Sequence, residues 1–314
     1  MTARIRAAVT AAALLSILLF AGCAAPQTGA LRMQAPAGLA TQAELAAVPF
    51  FPQKEFQCGP AALATVLAYS GVAASPETLM PQVYLPGREG SLQTEMLAAT
   101  RRHHRVAYQV APRLENVLIE VAAGNPVIVL QNLAFNLAPL WHYAVVVGYD
   151  REREEIVLRS GVTRRLTMTF STFERTWARG GHWSMVALPP RRLPETAIEG
   201  DYVAAVAALE RISATDAQPA YAAALERWPA NPVARIGIGN AAYVQGDLAA
   251  AEAAYRRATI DHPRNGDGWN NLAQVQFELG RRNEALIAAR RAVALGGARA
   301  AHYRETLETI TASP

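Results

Sequence analysis

Two short runs hold residue types that could do chemistry together. The first, Gln53-Lys54-Glu55-Phe56-Gln57-Cys58-Gly59-Pro60, leads into a helix-forming stretch that continues to Tyr69. Proline suits the first helical turn, because the N–H it lacks would find no intrahelical partner there. Cys58 is therefore expected at a helix N-terminus, where free amides and the positive end of the macrodipole favour a thiolate. A thiolate so placed is a nucleophile. A glutamine amide beside it can donate to the oxyanion formed when sulfur attacks a carbonyl. Gln53, five residues upstream, and the adjacent Gln57 both offer one. Neighbouring side chains at a helix mouth tend to diverge, which favours Gln53.

A cysteine at the start of an apolar helix is as readily a space-filler. What gives Cys58 a use is the second run, Trp141-His142-Tyr143-Ala144-Val145-Val146-Val147-Gly148-Tyr149-Asp150, whose histidine can serve as the base. The elements that must bring the two together read as helices first and strands second. Helices are expected at 60–69, from the Ser75-Pro76-Glu77 start, over 91–101 and over 114–123. Strands are expected at 106–111, 127–130, 142–149, 155–159, 165–169 and 183–188, with a short helix at 172–178. This is an α+β layout in which the nucleophile helix packs on an antiparallel sheet carrying the histidine.

Gln53, Cys58-Gly59-Pro60-Ala61-Ala62-Leu63 and His142-Tyr143-Ala144-Val145-Val146-Val147-Gly148-Tyr149, in this order, resemble the papain-like cysteine peptidases. The branch they most resemble is that of the bacteriocin-processing (double-glycine leader) peptidases. The resemblance implies a papain-like fold over 47–192, with Cys58 as nucleophile, His142 as general base and then acid, and Gln53 as oxyanion donor. It also implies an Asp or Asn on the next strand to orient the imidazole, and the matching place holds Ser160. A hairpin centred near Glu152 puts Ser160 opposite Ala144, on the same face as His142 and diagonal to it. Asp150 lies about 26 Å along the strand, at roughly 3.3 Å per residue, and cannot substitute. Asn132 and Asn136 are further candidates. A serine hydroxyl accepts from an imidazole but does not balance imidazolium charge, so a peptidase-like protein kept for binding is the alternative to an enzyme.

Cofactors are not expected, and no His/Cys spacing reads as a metal site. His103 and His104 close an arginine-rich helix, where cations suit the dipole and are expected to be solvated. His182, in Gly180-Gly181-His182-Trp183, reads as structural.

The leader explains destination. Arg4 and Arg6 precede an apolar run over 7–20 that ends in Ala21-Gly22-Cys23, the layout of a secretory signal. Small residues before a cysteine resemble a bacterial lipobox, so residues 1–22 are expected to be removed and Cys23 lipidated. Ala24 after the cysteine points by analogy to the outer membrane, facing the periplasm. Of the two cysteines in the chain, that leaves Cys58 without a partner. Residues 23–46, rich in Ala, Gln, Pro, Gly and Thr, read as a tether. The net charge of +4 includes both leader arginines, and nothing in it indicates nucleic-acid binding.

Beyond Pro194 the composition turns to Ala, Glu and Arg at helical spacing, and an all-α domain is expected over 199–312. Aligning Tyr243-Val244-Gln245-Gly246-Asp247 with Phe277-Glu278-Leu279-Gly280-Arg281 gives a 34-residue offset that also superposes Ala251 on Ala285, Ala254 on Ala288 and Ala258 on Ala292. That period, with glycine at the inter-helix turn, resembles tetratricopeptide repeats. It implies a surface that holds a peptide or protein partner. A helical pair over 202–229 would cap the array.

Overall fold

The computed structural model describes residues 25–53 and 57–312. Contacts divide the described residues into two compact units, the first comprising those up to Met96 with Gln109–Val186, the second Leu97–Tyr108 with those from Ala187 on.

The first unit opens with α1 (Pro26–Met33) and β1 (Gln42–Glu44), followed by α2 (Cys58–Tyr69), α3 (Pro76–Val83) and a small hairpin, β2 (Tyr84–Leu85) with β3 (Gly90–Ser91). Along the chain there follow α4 (Gln93–Arg102) and β4 (Val106–Gln109), whose residues Leu97–Tyr108 belong to the second unit, and then α5 (Leu114–Ala122), β5 (Val127–Asn132), β6 (Trp141–Asp150), β7 (Glu155–Ser160), β8 (Thr163–Thr169), α6 (Phe170–Arg179) and β9 (Ser184–Leu188). The main sheet runs β4-β9-β5-β6-β7-β8, with β1 also paired to β6. Its long strand is β6. The first half of β6 pairs antiparallel with β5, Gln131 lying opposite His142, and its second half pairs with β1.

Helix α2 is apolar on every side, and its residues from Gly59 to Leu67 are buried. Such a helix belongs inside a core. It packs on β5, β6 and β7, while α5 lies against β1, β5 and β6, and α6 against β5, β7 and β8. The antiparallel sheet and the helix packed on it are those the sequence implied.

The stretch expected to be a tether is folded from Pro26 onward. The backbone amides of Gln27 and Thr28 and the Thr28 hydroxyl all donate to the buried Glu174 carboxylate, at 2.7–2.8 Å. Gln27 Oε1 in turn accepts from the Leu114 amide at the start of α5, at 2.5 Å. Arg32 pairs with Glu154 at 2.6 Å. Low apolar periodicity misled because α1 draws its order from partners more than eighty residues away. Its free N-terminal amides are met by a carboxylate from α6 instead of a local cap. Cys23 and the leader lie outside the described residues.

The second unit carries α7 (Glu199–Glu210), α8 (Ala214–Arg227), α9 (Pro232–Val244), α10 (Leu248–Asp261), α11 (Gly266–Glu278), α12 (Arg282–Leu295) and α13 (Ala300–Ala312). Gly246 and Gly280 close α9 and α11 with matching positive φ, +77° and +76°, so one turn recurs at the 34-residue period. Ala251, Ala258, Ala285 and Ala292 are buried between helices, as the alignment of the repeats requires. His104, expected to be solvated alone, sits 2.6 Å from Asp216. Both lie in this unit, a pairing across 112 residues that composition does not reveal. His182 stacks edge-on against Trp177, at 4.7 Å between ring centres.

None of the described helices is long and apolar enough to cross a membrane. Substituting Glu174→Ala is expected to lower stability by about 1–3 kcal/mol, the cost of leaving buried donors without an acceptor. Urea unfolding checks it, and an unchanged midpoint would mean α1 is not held this way.

Candidate active site

Cys58 begins α2 and is partly exposed. Glycine is required after it, since a Cβ on Gly59 would lie 2.2 Å from Ser91 Oγ. That close approach seats the helix mouth against β3. Burial pushes the Cys58 thiol up from its ordinary value. The amides of Tyr143, Gly59 and Cys58 itself pull the other way without reversing the shift. At neutral pH the resting sulfur is therefore a thiol.

His142 is the second residue of β6, half-buried at the end of the ladder with β5. Its Nε2 lies 2.8 Å from Ser160 Oγ. The contact follows from hairpin register. Val145 pairs with Arg159 and Val146 with Leu158, which continues to Ser160 opposite Ala144. A bulge between Val146 and Gly148 shifts the remaining pairs by one, and that irregularity was not legible beforehand. Burial pushes the His142 imidazole down, so it rests neutral. In the tautomer that donates Nε2–H to Ser160, the lone pair is on Nδ1.

The two glutamines diverge. Gln57 Nε2 reaches Met80 Sδ, 3.5 Å away in α3. Gln53 instead approaches β6, its Nε2 donating to the Tyr143 carbonyl at 3.4 Å and its backbone N–H to the Gly161 carbonyl at 3.0 Å. Gln53 thus contacts the residue whose amide faces the Cys58 sulfur. Asn132 does not serve the histidine. Its Oδ1 accepts from the amides of Ala134 and Leu140, at 3.0 and 2.9 Å, and so folds the loop 133–140 that precedes His142. Asn136 is exposed in that loop.

Two contributors were missed by sequence reasoning. The buried Arg159 guanidinium donates to the Val48 carbonyl through Nε and Nη2, at 3.3 and 3.2 Å, and to the Arg164 carbonyl at 2.7 Å. It fixes the segment that carries Gln53. An arginine within an apolar strand is the signal that could have pointed to it. The second is an apolar lip: Phe135, Leu137, Leu140 and Trp141, all exposed in the segment that leads into His142. Five of the nine residues over 133–141 are large and apolar and none is charged, which reads as unusual only once the loop is known to be outside the core. Among the described residues no group of three or more His, Cys, Asp or Glu could hold a metal ion.

A cysteine at the mouth of a buried helix, set against an antiparallel sheet whose histidine is oriented from the next strand, defines a cysteine-peptidase-like domain, here followed by paired helices. Residues 45–185 match the model of the Peptidase_C39-like family, and residues 202–261 and 236–301 match that of the tetratricopeptide repeat. The chain carries a C39-like peptidase domain followed by tetratricopeptide repeats.

Among solved structures, it is similar to a putative C39-like peptidase from Bacillus anthracis, at 18% identity over 48% of this chain and 98% of that one, with a TM-score of 0.40. It is also similar to a double glycine motif protease from an AMS/PCAT transporter in complex with its leader peptide, at 20% identity over 45% and 90%, with a TM-score of 0.34. The helical part is similar to the Yersinia enterocolitica type III secretion chaperone SycD in complex with a peptide of the translocator YopD, at 14% identity over 37% and 96%, with a TM-score of 0.34.

The geometry sets an expectation for reactivity. The rate of iodoacetamide alkylation at Cys58 should rise through alkaline pH, with an apparent thiol pKa above the ordinary value of about 8.5. Ser160→Asp places a carboxylate on Nε2, favours imidazolium with thiolate, and should lower that pKa. An unchanged profile in the variant would mean that Ser160 does not govern the imidazole.

Proposed function

We propose that this chain is a lipid-anchored thiol peptidase of the bacterial envelope, acting on a peptide or protein that its repeats recruit. The observation that carries this reading is the 2.8 Å contact of His142 Nε2 with Ser160 Oγ, since in the tautomer that donates Nε2–H the free base is Nδ1. In the reaction Cys58 passes its proton to His142 Nδ1 as sulfur bonds to the peptide carbonyl carbon. The Cys58 amide and Gln53 Nε2 hold the oxyanion. His142 then gives the proton to the leaving amine as the C–N bond breaks. Water, deprotonated by His142, hydrolyses the thioester and returns the thiol. The apolar lip beside His142 offers bulky apolar residues of the substrate a place to rest.

A second reading, a non-catalytic peptidase-like lipoprotein that binds partners through both domains, draws on Ser160. A hydroxyl supplies no charge to the imidazolium, and burial holds both groups neutral. The two readings separate on incubation with a proteome-derived peptide library. New N-termini should appear with the wild type and not with Cys58→Ala, and His142→Ala should slow their release by about 10²–10⁴-fold, the span of general-base catalysis. Identical profiles for wild type and Cys58→Ala would sink the enzyme reading.

The anchor rests on the lipobox at Ala21-Gly22-Cys23, and Ala24 after it supports the outer membrane, facing the periplasm, as its destination. Labelled palmitate should enter the wild type and not Cys23→Ser. Incorporation into both would refute lipidation at that thiol.

A further inference from the structure

Within the second unit, α9, α10, α11 and α13 line an open cavity of about 320 Å³ whose walls carry Asn240, Tyr243, Tyr255, Asn270, Asn271, Gln274 and His302, with no arginine or lysine among them. Its donors are turned inward. Asn240 Nδ2 donates to Glu210 at 2.6 Å, and Asn240 Oδ1 accepts from Tyr255 and Asn271 at 2.8 and 3.3 Å. Tyr243 and Gln274 both donate to the same oxygen of Glu278, at 2.5 and 2.8 Å. Unspent acceptors remain. Asn270 is 4% exposed, and its Oδ1 lacks a hydrogen-bond partner. The amide oxygens of Asn271 and Gln274 add to it.

Besides His302, which also lines the cavity and pairs with Glu305 at 3.6 Å, the charged groups bonded to the lining are carboxylates. Among the described residues neither Glu210 nor Glu278 takes part in an ion pair. Their field reaches the lining. The Tyr243 phenol is pushed up by its bond to Glu278, and that of Tyr255 by burial, with Glu210 and Glu278 adding to it. A buried acceptor without a donor, the Glu278 carboxylate outside any ion pair and two tyrosine rings together ask for a cation that carries N–H groups. They disfavour a carboxylate.

We propose that this cavity binds a lysine or arginine side chain presented by a partner polypeptide. The inference rests on the proposed partner-binding role of the repeats and names the chemistry that role requires. The tyrosine faces receive the stem and its charge, and the amide oxygens with Glu278 accept the N–H groups.

The test is affinity selection of a random octapeptide library on the purified full-length protein, repeated with Glu278→Gln and Asn270→Ala. Glu278 is exposed, so its variant is expected to fold as the wild type does. Selected peptides should carry Lys or Arg at one position, enriched about tenfold over acidic residues, and either substitution should erase most of that preference. Enrichment of peptides without a basic residue, or a basic preference untouched by Glu278→Gln, overturns the inference while leaving the repeats as a peptide-binding surface. No enrichment overturns both.

Discussion

Three consecutive residues where β7 runs out hold three separate parts of the candidate site. Arg159 donates to the Val48 carbonyl and keeps the lead-in segment against the sheet, Ser160 meets His142 Nε2, and the Gly161 carbonyl accepts the Gln53 amide. The order follows from strand geometry, because successive side chains leave opposite faces of the sheet. Arg159 and Ser160 therefore serve different neighbours without competing. Gly161 turns the chain at φ +58°, which suits glycine, and frees its carbonyl from the ladder. Burying the Arg159 guanidinium is costly, and the two carbonyls it meets offset part of that cost.

Ser160 also sets the electrostatic character of the pair it supports. A carboxylate in its place would stabilise the imidazolium and through it the thiolate. A hydroxyl orients the ring and selects the tautomer while leaving the charge balance to burial. Burial acts on the two groups in opposite directions, and both directions favour the neutral forms. Both resting groups are therefore neutral, away from an ion pair. In the proposed reaction, proton transfer then accompanies substrate attack rather than preceding it.

What was legible in the sequence was what short-range chemistry determines. Pro60 and the apolar run after it marked α2, the five polar residues 150–154 marked the hairpin turn, and the period of two placed Ser160 on the face of His142. The 34-residue offset between the glycine turns marked the repeats. What could not be read depended on partners distant in the chain. Helix α1 exists because Glu174 and the start of α5 meet its polar groups. Asn132, a plausible partner for the histidine by position, is taken up by the loop it closes. Leu97–Tyr108, helical and extended by pattern, groups by contact with the repeat unit through pairs such as Tyr108 on Tyr202.

The docking of α1 changes what the proposed lipid anchor implies mechanically. From Cys23 to Pro26 is three residues, a span of about 10 Å at full extension. A lipid on Cys23 would then hold the peptidase domain as a short rivet holds a plate, with little freedom to sweep the space above the bilayer. Its target zone would be a thin layer at the membrane surface. Polypeptides emerging from or lying along that surface would meet the domain at high local concentration, and those free in the periplasm would meet it only by diffusing down to it.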